Sequence, residues 1–109
     1  MLYAYSRVLT EIALYVMAKI TTVAEANPVI TSAYRVGDSG VHGHMRGIDF
    51  RTWYLDQTFI DELCDDVNNT WVYDPERPEK EVLIYHDVGR GPHLHLQVHP
   101  NTTLRKELS

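Results

Sequence analysis

Residues 93–98 read His-Leu-His-Leu-Gln-Val, a strict alternation of polar and apolar side chains. Successive side chains of a β-strand point to opposite faces, so this pattern calls for a sheet buried on one side only. Leu94, Leu96 and Val98 then point into a core, and His93, His95 and Gln97 line the other face. Imidazoles at i and i+2 are placed to supply two metal ligands, or one ligand and an adjacent acid/base. The same pattern also describes a solvated sheet face, so its meaning depends on the rest of the chain.

The rest of the chain supplies partners and cover for such a sheet. Leu9, Ile12, Val16, Ile20 and Val23 recur in steps of three and four, one stripe of a helix predicted from Ser6 to about Glu25. Ser6 is its expected cap, and Asn27-Pro28 its stop, because a residue before proline avoids the α region. Val29–Arg35 is β-branched and loosely alternating, a predicted strand. A glycine-rich loop follows, then Gly47–Arg51, a short strand with Ile48 and Phe50 on one side and Asp49 and Arg51 on the other. Residues 56–69 predict a second helix buried through Phe59, Ile60, Leu63 and Val67, capped by Asp56 or Thr58 and ended by Asn68-Asn69. Residues 70–73 allow a short strand. Glu81–Asp87 and His93–His99 are predicted strands joined by a hairpin connection. The polar tail after Pro100 is expected to fray. Helix, strand, strand, helix and two or three more strands give an α+β fold, an antiparallel sheet with helices on one face.

At 109 residues the chain has enough hydrophobic material for one core, so a single domain spanning 1–109 is expected. The net charge of −5, with no basic run, argues against nucleic acid or an anionic membrane as partner. Cys64 is the single cysteine, which excludes a disulfide framework and permits folding in a reducing cytoplasm. It is expected to be a buried small hydrophobe. Ala24–Ala26 has the small residues of a signal cleavage site. The apolar run before it, Ile12–Ala18, is short and flanked by Glu11 and Lys19, so secretion by a signal peptide is not expected.

His42 precedes Asp49 by seven residues across a glycine-containing loop. Two histidines and a carboxylate are a common catalytic zinc set that leaves one coordination position open. A salt bridge from Asp49 to Arg46 or Arg51 is the competing use of that carboxylate.

Taken together, TSAYR (31–35), VHGHMRGIDFR (41–51) and PHLHLQV (92–98) resemble the zinc D-alanyl-D-alanine peptidases. That family includes D-Ala-D-Ala carboxypeptidases and dipeptidases, and L-alanyl-D-glutamate endopeptidases of bacteria and phages. Its fold is shared with the amino-terminal signalling domain of Hedgehog. The family pattern is Ser-x-Tyr-Arg, then His-x6-Asp, then a distal His, often within His-x-His. The resemblance implies one zinc ion per chain held by His42, Asp49 and His95, with His93 as catalytic neighbour. It implies that Arg35 contacts the substrate and stabilises charge on the tetrahedral intermediate. The implied function is cleavage of stem peptides of bacterial cell-wall peptidoglycan by a monomeric, phage-type or prophage-type enzyme. Such an enzyme is made in the cytoplasm and acts at the wall after release.

The chain departs from the family pattern at two places. Many members carry a Glu three residues before the distal His; here Pro92 stands there, and Arg90 stands three before His93. Neither can act as a base, so the proton shuttle falls to His93, to His86 or to Asp87. His44 is a rival to His42, since it keeps a His-x-x-Gly spacing but lies only five residues from Asp49. His86 is alternatively a neighbour that hydrogen-bonds a ligand, Asp87 a turn residue, and His99 a surface residue. Tyr34 is expected to pack half-buried, with donation to substrate as the alternative, and Trp53, Tyr54 and Trp71 are expected to pack in the core, with the lining of a groove as the alternative. The second function left open is a zinc-binding interaction module that keeps the metal without the chemistry.

Overall fold

A computed structural model describes residues 4–35, 45–87, 89 and 91–108. Helix α1 (Ala4–Thr22) begins before Ser6, so Ser6 lies inside its first turn. Leu9, Ile12, Val16 and Ile20 are buried as the spacing requires, whereas Val23 lies past the helix end and is exposed. Thr21 and Thr22 donate their hydroxyls to the carbonyls of Met17 and Ala18, holding the last turn. Glu25, at φ 54°, turns the chain out of the helix before Pro28.

Strands β1 (Ile30–Arg35) and β2 (Met45–Arg51) follow, then α2 (Gln57–Thr70), β3 (Trp71–Val72), β4 (Leu83–Asp87), β5 (Pro92–Gln97) and β6 (Thr103–Leu104). A 3-10 turn, Arg105–Leu108, closes the described chain. The main sheet is antiparallel throughout, in the order β1-β2-β5-β4. Ile48, Phe50, Leu94 and Leu96 fill one face, and both helices pack on that side, joining one core with Ile12, Ile20, Ile60 and Val67. This is the α+β architecture that the alternation predicts. Each fully buried Leu, Ile or Phe adds about 1.5–3 kcal/mol of transfer free energy. No described helix covers the opposite face, the one carrying Asp49, His93 and His95. No described helix is long and apolar enough to cross a membrane.

Three local expectations are corrected. The asparagine pair does not end α2, which runs on to Thr70, and Asn68 does something else. Its Oδ1 accepts the Val82 and Leu83 N–H groups at 2.9 and 3.0 Å, and its amide donates to the Leu83 carbonyl at 2.8 Å. Asn68 thereby fixes the start of β4 against α2. The tail is anchored, not frayed. β6 pairs with β3, Thr102 is buried, and the Thr102 hydroxyl donates to the Tyr73 carbonyl at 2.8 Å while accepting the His99 N–H. Trp53 is 78% exposed instead of packed, although Trp71 is buried as expected. Tyr54 is half-buried and donates its hydroxyl to the Asn27 carbonyl. Asp56 holds the N-cap position of α2 without a side-chain cap bond.

Cys64, on α2, is half-buried, and burial together with the nearby carboxylates of Glu81, Asp61 and Asp65 pushes its thiol up to about 11. Only the thiolate reacts with disulfide reagents. A thiol shifted by about two pH units from the ordinary value of 9.0 is expected to react roughly a hundred-fold more slowly at pH 8. Timed labelling of native protein against urea-unfolded protein measures this directly. Equal rates in the two states would contradict the burial assigned to Cys64.

Candidate metal centre

Sheet register builds the site. Asp49 of β2 lies opposite His95 of β5, and His93 of β5 lies opposite His86 of β4. Directly opposed residues on one face have Cβ atoms about 4.5–5.5 Å apart, close enough for side chains to touch. Alternation keeps all four groups on the sheet face that no described helix covers, while their neighbours Phe50, Leu94 and Leu96 anchor the strands in the core.

His95 Nδ1 donates to Asp49 Oδ1 at 2.8 Å, and His93 Nε2 lies 3.8 Å from the same oxygen. His93 Nδ1 is 3.2 Å from the Gly91 carbonyl, so a proton there donates to that carbonyl and leaves the lone pair on Nε2. The ring of His86 stands 4.7 Å from that of His93 and 5.3 Å from that of His95, centroid to centroid. Ligand atoms of His86, His93 and His95 all lie within 4.8 Å of one another. These three histidines are therefore close enough to bind a single metal ion.

The electrostatics suit a cation. Burial holds the His95 imidazole below its ordinary value, against a hydrogen bond with Gln97 that raises it. Burial thus favours the neutral ring that a metal ligand needs. His86 Nε2 is buried with no hydrogen-bond partner among the described residues. Orphaned buried nitrogens of this kind carry a desolvation cost that a bound cation removes.

Of the six site residues proposed from sequence, Asp49, His93, His95 and His86 are brought together. Arg35 ends β1 opposite Met45, and its side chain lies outside the described residues. His42 and its rival His44 also lie outside them. The hydrogen bond expected from His86 to a ligand is not made among the described residues, and His86 instead packs its ring against the other two. Asp87 is a turn residue: its Oδ1 accepts the N–H groups of Gly89 and Gly91, both at positive φ, and closes the β4-β5 hairpin. His99 lies apart, half-buried against Tyr73, with its Nδ1 accepting the Asn101 N–H. Asp49 uses its carboxylate on His95 and not on Arg51.

A groove adjoins this cluster. Thr31, Ser32, Asp49, Arg51, Trp53, Pro92 and His93 are among its lining residues. Arg51 was detectable, because alternation puts it on the same face as Asp49. Trp53 entered only as the alternative to core packing, because hydrophobicity favours the core for a tryptophan.

No protein-family model, curated protein or solved structure matches the chain.

Proposed function

We propose that the protein is a zinc-dependent peptidase that cleaves peptide bonds in the stem peptides of bacterial peptidoglycan. The observation that carries this reading is the convergence of Asp49, His95, His93 and His86 on one sheet face. In this reading His95 and Asp49 hold the ion together with His42, as the resemblance implies. When bound, zinc supplies a hydroxide nucleophile at neutral pH and a Lewis acid for the carbonyl oxygen.

The chain's own residues supply the remaining work. Asp49 orients His95 through the 2.8 Å bond and fixes which ring nitrogen carries the proton. His93, two residues along the same strand face, takes up the nucleophile's proton on Nε2 and returns it to the leaving amine. Its Nδ1 bond to Gly91 keeps the ring in the tautomer that this requires. Arg35 offers an always-charged donor fork to the developing oxyanion. His86 shields one side of the cluster from water and is the alternative shuttle.

Mass spectrometry of muropeptides from purified peptidoglycan, before and after digestion, tests the reading and reports the bond cut. Cleavage is expected with zinc-loaded protein and not after chelation. His93→Ala is expected to keep the metal and lose about 100-fold or more in cleavage rate, the usual worth of a general acid/base. A protein that binds zinc and cleaves no wall peptide is instead an interaction module. Pro92, which stands where a catalytic Glu is common, favours that second reading.

A further inference from the structure

The groove beside the histidine cluster has a volume of about 540 Å3 and runs across β1, β2 and the start of β5. Thr31 and Ser32 line it from β1, Asp49 and Arg51 from β2, Pro92 and His93 from β5, with Trp53 beyond the end of β2. Its charges are unevenly committed. The Asp49 carboxylate is occupied by His95, whereas Arg51 forms no ion pair among the described residues. Arg51 is exposed, stands opposite His93 in the sheet, and shares its face with Asp49. Trp53, at 78% exposure, offers a flat apolar surface beside it and is braced edge-on by Tyr54 at 5.7 Å. A guanidinium with no ion pair among the described residues, next to an exposed aromatic in a groove that opens on the histidine cluster, is the arrangement that recognises a carboxylate on a small peptide.

We propose that this groove binds a peptide carboxylate through Arg51, with Trp53 as the wall against which the adjoining side chain packs. Residues two apart on a strand are separated by about 7 Å. The carboxylate at Arg51 therefore lies one or two peptide residues from a bond held at Asp49 and His95. The inference names the substrate contact of the proposed peptidase and rests on that reading for its biological setting, but carboxylate binding itself does not require cleavage.

The test uses zinc-loaded protein and two probes, N-acetyl-D-alanyl-D-alanine and its C-terminal amide. Binding is followed through the indole N–H resonance of Trp53. The free acid is expected to bind at least about ten-fold more tightly than the amide, the discrimination a charge-assisted bidentate contact gives. Arg51→Gln is expected to erase that preference while leaving zinc stoichiometry unchanged, and Arg51→Lys to restore part of it. Equal binding of acid and amide, a preference that survives Arg51→Gln, or no binding of either probe would each overturn the inference. The two proposals separate cleanly. An Arg51-dependent preference without wall cleavage upholds the groove and removes the peptidase, and wall cleavage indifferent to Arg51 does the reverse.

Discussion

His95→Ala is expected to weaken zinc binding by more than about 100-fold and to abolish peptidoglycan cleavage. His95 is the residue on which the other groups depend. It bonds Asp49 at 2.8 Å, and its ring lies 5.3 Å from that of His86. Losing a residue that merely supports a ligand already costs 10–100-fold in metal affinity, so losing His95, a ligand in the proposed site, is expected to exceed that range. The fold is expected to survive, because the His95 ring sits on the sheet face opposite the core while Leu94 and Leu96 hold the strand in it. Competition with a chromophoric chelator measures the affinity, and circular dichroism checks the fold. Wild-type zinc affinity in a folded His95→Ala protein would place the metal elsewhere and remove the peptidase reading.

Asn68→Ala is expected to have the largest effect on stability, about 2–4 kcal/mol. Its side chain satisfies two N–H groups and one carbonyl at the entry to β4. Alanine leaves all three without that partner, and an unsatisfied buried group costs about 1–3 kcal/mol. Water reaching the half-buried site recovers part of the sum. A domain of this size is stable by only about 5–15 kcal/mol in total, so the change is a large share. The expected fall in melting temperature is roughly 10–20 °C. Because β4 carries His86 and pairs with β5, zinc affinity is expected to fall as well. Thermal melts of wild type and variant, with and without zinc, measure both effects. A loss under about 0.5 kcal/mol would mean that Asn68 does not anchor β4.

Which parts of this were legible beforehand follows a physical division. The face that each strand residue occupies is a local property, set by the two-residue period, so Ile48, Phe50, Leu94 and Leu96 were assignable to the core, and Asp49, His93 and His95 to the other side. The stripe of α1 was legible for the same reason, through a period of 3.6. Val23 broke the pattern because the helix stops at Thr22, and boundaries depend on competing hydrogen bonds such as those of Thr21 and Thr22. Trp53 misled because burial depends on what lies opposite, and nothing in the sequence reports that.

The sequence by itself determined an α+β chain with one apolar sheet face, and nominated His42, Asp49, His95, His93, His86 and Arg35 as its chemical residues. Only the tertiary structure decided that Asp49 stands opposite His95 and His86 opposite His93, that β6 docks on β3 and orders the tail, and that Asn68 ties α2 to β4. The reason lies in the range of the interactions. Side-chain direction repeats every two or every 3.6 residues and is written into each short segment. Register and docking are selected among alternatives far apart in the chain, by the packing of the whole core.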